Sequence, residues 1–355
     1  MSDASEFRRD AITRQWVVCA PARSERPRPF DQGDNAVPET DGPIDGCPFC
    51  PGHEHMLPKV LFEAPAAETS RNGTSKDRAD ENGHAASWQT RSVPNKYPAL
   101  TQDGTASRSF CSIYEWHGGY GRQEVIIATP RHHESLSWMP IPHLETVVRT
   151  YVDRYHALRE ADGELVPFIF HNHGADAGAS LPHPHSQIIA PSIEPPDIAL
   201  EEERARQRYD QTGRCPYCEM LNEERTAETR MITENDAFAA FVPYAARSPY
   251  EIWILPTMHQ PEFGRLDSQA PALADVLHQT LQALRIVLGD PDYNFYIRTA
   301  LAYESTAPHL HWSLRIRPRI SIDAGFEIGT GMKINPSLPE RDADVLREVV
   351  ASFSS

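Results

Sequence analysis

The chain has 355 residues, enough for one large or two modest domains with a sizeable core, and no apolar run approaches the roughly 18 residues of a membrane span. A formal net charge of −16 excludes general binding to nucleic acid or to anionic membranes, both of which need basic surface. It leaves room for a locally positive pocket that takes a phosphate, and the start "MSDASEFRRD", without an apolar stretch, sets the expected location as cytoplasmic.

Taken in chain order, the elements are written twice. Four of the six cysteines form two pairs, "CPFC" (Cys47, Cys50) and "CPYC" (Cys215, Cys218), while Cys19 and Cys111 stand alone as ordinary small residues. After the first pair, the polar, Gly- and Ser-bearing stretch from Glu63 to Arg91 reads as a loop or poorly ordered insertion. A β-branched strand then follows in "EVIIATPRHHESL", and its counterpart after the second pair is "EIWILPTMHQPEF"; Glu124 to His132 and Glu251 to His259 are both eight residues apart.

Each strand leads into an amphipathic helix. Leu144, Val147, Val148, Tyr151, Tyr155 and Leu158 recur at helical spacing in the first half, as do Leu273, Val276, Leu277, Leu281, Leu284 and Leu288 in the second, where Asp267 is the expected N-cap and Gly289 the stop. Another strand follows each helix, "VPFIFHN" and "NFYIRTA", and then a His-x-His pair: His132 to His183 spans 51 residues and His259 to His309 spans 50. The expected fold is α+β, with two homologous tandem halves at 1–200 and 205–355, each an antiparallel sheet with a long packed helix. The charged segment from Glu194 to Arg214 joins them and is expected to be helical.

A Cys-x-x-Cys turn places two thiolates together, and zinc needs two more ligands for its tetrahedron. The duplicated order supplies Cys47, Cys50, His132 and His183 in one half and Cys215, Cys218, His259 and His309 in the other, so two zinc ions per chain are expected. Gly and Pro around "DGCPFCPGHEH" favour a metal knuckle over a redox dithiol, and four protein ligands close the ion to substrate. Chemistry therefore falls to a neighbour. In "SLPHPHSQ", residues two apart in extended chain share a side, so His185 lies beside His183 but is free to act as a nucleophile towards phosphorus. Gly174, Gly178 and Ser180 allow close backbone approach and a hydroxyl donor, Gln187 offers an amide proton, and Asn172 is available to a hydroxyl or base edge. In "GTGMKINP", Gly329 and Gly331 turn N–H groups towards an anion and Lys333 adds charge; Lys333 and Asn335 are candidates for an acceptor phosphate.

These residues, with "RRDAITRQWVVCAPARSERP", "VPNKYPAL", "TPRHHESL", "HNHGADAGASLPHPHSQIIA" and "AGFEIGTGMKINPSLPE", resemble the galactose-1-phosphate uridylyltransferase family of the histidine-triad superfamily over nearly the whole chain. The resemblance implies histidine-triad-like halves, the second catalytically degenerate, and ping-pong nucleotidyl transfer in galactose metabolism. The residue matching His185 attacks a nucleotide sugar such as UDP-glucose and expels sugar 1-phosphate, and a second sugar 1-phosphate takes the nucleotidyl group. The backbone carbonyl of the residue matching His183 orients that nucleophile. It further implies that Gln187 and Ser180 touch the transferring phosphate, that Arg26, Asn95 and Asn172 contact nucleotide or phosphate, that Phe326 and Glu327 handle the hexose, and that the enzyme is a homodimer. Ser186 in place of Gly, the second CxxC and "GTGMKINP" are instead similar to ADP-glucose phosphorylases, which imply ADP-glucose as donor and inorganic phosphate as acceptor; a nucleotide hydrolase of the same superfamily is a further alternative.

Overall fold

The computed structural model describes residues 4–25, 44–66, 87–103, 107–162 and 165–353. They form two compact units, one of Pro38–His171 and Ser180–Pro195, the other of Met1–Val37, Asn172–Ala179 and Pro196–Ser355. In chain order the elements are β1 (Glu6–Arg9), β2 (Trp16–Cys19), β3 (Phe62–Pro65), β4 (Trp88–Pro94), β5 (Arg108–Cys111), β6 (Tyr114–His117), β7 (Gly121–Ile127), α1 (Ile141–Ala161), β8 (Phe168–His173) and β9 (His185–Pro191). The second half continues with α2 (Pro196–Thr212), α3 (Pro216–Ala227), β10 (Met231–Glu234), β11 (Phe238–Phe241), β12 (Ile252–Pro256), α4 (Ala270–Leu288), β13 (Tyr293–Arg298), β14 (Ser313–Pro318), α5 (Gly325–Thr330), β15 (Lys333–Asn335) and α6 (Pro339–Ser352).

The duplication is physical. In the first-half unit the antiparallel strand order is β8-β9-β7-β4-β3, and in the second-half unit it is β13-β14-β12-β11-β10. Each sheet is covered by its long helix: α1 meets β4 and β7, and α4 meets β10, β11 and β12. The helices bury the faces their periodicity marks, Leu144, Val147, Val148, Tyr151, Tyr155 and Leu158 in α1 and Leu273, Val276, Leu277, Leu281 and Leu284 in α4. Each such side chain contributes about 1.5–3 kcal/mol on removal from water. Gly289 stops α4 in the left-handed region at φ +71°, where its N–H closes on Arg285 O, while Gln269 rather than Asp267 holds the N-cap position because a short turn, Asp267–Gln269, precedes the helix. The joining segment is helical as α2, and no helix among the described residues is long and apolar enough to cross a membrane.

Two expectations change. The stretch from Glu63 to Arg91 is not a loop throughout: Glu63 and Arg91 face one another in the β3–β4 pair, Arg91 Nε donates to Glu63 at 2.6 Å, and Trp88 is buried. Residues 67–86 lie outside the described ones. The described residues before 37, with Asn172–Ala179, also belong to the second-half unit instead of the first. β2 pairs antiparallel with β1 and parallel with β15, and Arg8 binds Glu340 at 2.9 Å, so the start of the chain is sheeted against its end. Gly174, at φ +84°, packs where a Cβ would strike the Asp292 carboxylate, which accepts Asp176 N–H at 2.6 Å. Cys19 is buried and Cys111 exposed, neither near the paired cysteines in sequence.

Candidate active site and metal sets

The first metal set is built from the turn Cys47–Cys50, flanked by Gly46 at φ +81° and Gly52 at φ +88°, from the segment after β7 and from the residues just before β9. Cys47 Sγ lies 3.7 Å from His183 Nδ1; Cys50 Sγ lies 3.6 Å from the same atom and 3.3 Å from His132 Nδ1. A tetrahedron with Zn–S and Zn–N bonds of about 2.3 and 2.1 Å has S···N edges of about 3.6 Å, so the donors already stand at zinc spacing. All four are buried, and their ligand atoms lie within 4.8 Å of one another. His183 donates Nε2–H to Thr129 O at 2.8 Å, which leaves Nδ1 as the lone-pair end. The thiols cannot both ionise unaided: the hydrogen bond from Cys50 pushes Cys47 down to about 3, and the same contact, with burial, pushes Cys50 up. A cation between them removes that conflict.

The second set is Cys215, Cys218, His259 and His311, also within 4.8 Å. His311 takes the place expected for His309. Its Nδ1 lies 3.6 Å from Cys218 Sγ and its Nε2 donates to Pro256 O at 3.1 Å, as His183 does to Thr129 O; the acceptors stand three residues before His259 and His132 respectively. His309 instead points Nε2 to Glu304, 3.2 Å away. The repeat is therefore in register at 52 residues, His259 to His311, and matching one His-x-His pair to the other shifted it by two. Unlike the first pair, Cys215 and Cys218 open a helix, α3, with Cys215 at its N-cap.

His185 begins β9. Its Nδ1–H donates to His183 O at 2.8 Å, its ring leans on Phe49 at 5.3 Å between centroids, and only 8% of the residue is exposed. Burial lowers its basicity below that of an ordinary histidine. With Nδ1 occupied, the neutral ring carries its lone pair on Nε2. Gln187 follows on the same face of β9, where Gln123 Nε2 donates to its carbonyl at 3.0 Å and Asn95 Nδ2 at 3.4 Å, which leaves the Gln187 amide nitrogen to donate. Sequence reasoning had no signal for Gln123, Phe49 or Thr129, which act through orientation. Ser180 is exposed five residues before His185.

Ser186 faces the other way. Its hydroxyl meets Tyr151 Oη at 2.6 Å and His171 Nδ1 at 3.0 Å, fully buried under α1, on the side of the strand opposite His185. In the second-half unit, Asn172 accepts Asn294 Nδ2–H at 2.8 Å through Oδ1, and Gly178 turns at φ +86° close by, with Asn172 Nδ2 3.9 Å from where its Cβ would be. Phe326 is 47% exposed on α5, and Glu327 caps that helix by accepting Ala324 N–H at 3.0 Å. Gly329 and Gly331 lie in open space, and Lys333 pairs with Asp323 at 2.5 Å. Asn335 departs from its expected phosphate role: it is fully buried, donating to Ala246 O at 3.0 Å and accepting Ser337 N–H at 2.9 Å. Arg26 lies outside the described residues.

A histidine with a bare Nε2 beside an amide nitrogen left to donate, on one of two duplicated α+β halves, suits an enzyme of the nucleotidyl-transferring class. The chain belongs to the galactose-1-phosphate uridylyltransferase family. The model described as galactose-1-phosphate uridyl transferase, N-terminal domain, matches residues 74–195, and one described as a domain of unknown function (DUF4921) matches 140–353. Among its relatives, the ADP-glucose phosphorylase of Arabidopsis thaliana is 33% identical over 98% of this chain and 94% of its own. The galactose-1-phosphate uridylyltransferase of Thermotoga maritima is 29% identical over 97% and 98%. The crystal structure of the Arabidopsis thaliana ADP-glucose phosphorylase with bound ADP-glucose superposes with a TM-score of 0.78 at 31% identity, covering 97% of this chain and 99% of that one.

His311→Ala should lower the metal content of the purified protein from two ions per chain to one, whereas His309→Ala should leave it at two; elemental analysis showing the reverse refutes the register of the second set. Ser186→Gly removes two buried hydrogen bonds and should cost about 1–3 kcal/mol in denaturant unfolding. Because residue 186 faces α1, the ratio of UDP-glucose to ADP-glucose turnover should not move; an inverted preference would show that this position reads the base.

Proposed function

We propose that this protein is a nucleotidyltransferase that works through a covalent nucleotidyl-histidine at His185. The hydrogen bond from His185 Nδ1–H to His183 O carries the reading, because it presents Nε2 as the nucleophile without a proton to lose. Nε2 forms a bond to the α-phosphorus of a nucleotide sugar, the bond from that phosphorus to the bridging oxygen breaks, and sugar 1-phosphate leaves with the electron pair. An oxygen of the acceptor phosphate then attacks the same phosphorus, and His185 departs as the neutral ring it was. Gln187, aligned by Gln123, donates its amide N–H to a non-bridging oxygen as negative charge builds on it, which is where a fixed donor lowers a barrier most. The tetrahedral Cys47, Cys50, His132 and His183 set would hold zinc as a closed structural ion. Its role is to fix the peptide on which His185 sits.

The donor this reading favours is ADP-glucose, with inorganic phosphate as acceptor. The relative that binds ADP-glucose in its crystal structure matches this chain end to end, above 30% identity. Uridylyl transfer between UDP-glucose and a hexose 1-phosphate is the second reading, supported by the end-to-end match to the Thermotoga maritima uridylyltransferase. A homodimer and zinc as the native ion belong to the same proposal.

Incubation with α-phosphorus-labelled ADP-glucose should leave an acid-labile label on the protein, to a greater extent than labelled UDP-glucose does, and His185→Ala should carry none while remaining folded by circular dichroism. Label that persists on His185→Ala, or none from either donor on the wild type, contradicts the covalent route; more label from UDP-glucose overturns only the choice of donor.

A further inference from the structure

The corrected register pairs the two halves residue by residue. His311 answers to His183, so Ser313 stands where His185 stands and Arg315 where Gln187 stands. The strand pairing agrees: Gln187 lies opposite Val125 of β7 and Phe170 of β8, and Arg315 lies opposite Trp253 of β12 and Tyr296 of β13. Ser313 and Arg315 share a face, since Arg315 Nε donates to Ser313 Oγ at 3.0 Å. That face is not empty. The Glu201 side chain comes from α2, and Arg315 donates to it through both terminal nitrogens, one of them to Oε2 at 3.2 Å. Arg298 donates to the same Oε2 at 2.7 Å, and Tyr217 Oη to Oε1 at 2.7 Å.

Four features make this an oxyanion arrangement and not an incidental ion pair. Glu201 is 5% exposed and Arg315 3% exposed, so the central pair is desolvated, while Arg298 approaches from a partly buried position. Both carboxylate oxygens accept charged donors, with a phenol completing one of them. Two guanidiniums face one carboxylate, the number of positive charges that would balance a phosphate dianion. The guanidinium of Arg315 is held over the Trp253 ring at 3.8 Å, which fixes its plane. The space left beside them, lined by Ile198, Leu310 and His311 among others, measures about 20 Å³, room for one water.

We infer that the second half retains an oxyanion seat at the position where the first half carries His185 and Gln187, and that the chain fills it from within by the Glu201 carboxylate. This position in the second half is thereby closed to phosphate ligands by a residue of the chain itself. The inference stands on the second half alone and does not depend on catalysis in the first.

Removing the carboxylate should reopen the seat. Glu201→Gly should melt on the order of 10 °C below the wild type, because two buried guanidiniums lose their partner. Sodium acetate should restore several degrees in a saturable manner, against sodium chloride at equal ionic strength, and the wild type should show no acetate-specific shift. Adding Arg315→Met to Glu201→Gly should abolish the acetate effect. Glu201→Gln, which keeps shape without charge, should melt below the wild type and gain nothing from acetate. Should Glu201→Gly not fold alone, the yield of refolding with and without acetate supplies the same reading. An acetate response equal in wild type and Glu201→Gly, one that survives Arg315→Met, or a Glu201→Gln protein as stable as the wild type overturns the inference.

Discussion

The His183 carbonyl is held in place from two directions, and the orientation of the His185 ring depends on it. On one side the His183 ring is fixed by its hydrogen bond to Thr129 O and by the two sulfurs at 3.6 and 3.7 Å. On the other, Pro184 locks the backbone and β9 begins, paired with β7 and β8. The carbonyl between these anchors accepts the Nδ1–H of His185, so a buried ring that could hold either tautomer is held in the one with Nε2 bare. The four-ligand set and the His185 ring are thus joined through a single residue, and under the proposed function an ion with no open position would bear on chemistry by fixing geometry.

The same scaffold, repeated, reaches the opposite outcome through changes on one face of one strand. β9 presents His185 and Gln187, β14 presents Ser313 and Arg315, and the metal histidine two residues before each strand is unchanged. A serine in place of the imidazole removes the nucleophile proposed for the first half. An arginine in place of the amide then demands an anion, and α2 supplies Glu201. That the set of two cysteines and two histidines recurs in the half without a counterpart of His185 fits the proposed structural ion, because a set serving only chemistry has no reason to recur there.

Local periodicity carried most of the fold. The helical stripes of α1 and α4, the β-branched runs of β7 and β12 and the doubled cysteine pairs were legible because each depends on neighbours within a few residues. The sheet that joins β2 to β15 was not, since Val17 and Lys333 meet only by tertiary pairing. The error at His309 had a definite cause: two His-x-His pairs invite alignment to each other, yet the structural equivalence is between the second histidine of one and the first of the other. Strand onset marks it, because β9 and β14 each begin two residues after the metal ligand. Ser186 carried weight in the sequence for its difference from glycine, but alternation along β9 turns it to Tyr151 and His171. Asn335 read as a phosphate ligand from its place in a glycine-bearing turn, and burial commits its amide to the backbone.

The dependence of the His185 ring on the His183 carbonyl is tested most directly by nitrogen NMR of the protein labelled in its histidine rings, with His185 assigned by substitution. The predicted spectrum has a protonated Nδ1 and an unprotonated Nε2 for His185 at neutral pH. A proton on Nε2, or rapid exchange between the two tautomers, would contradict the account.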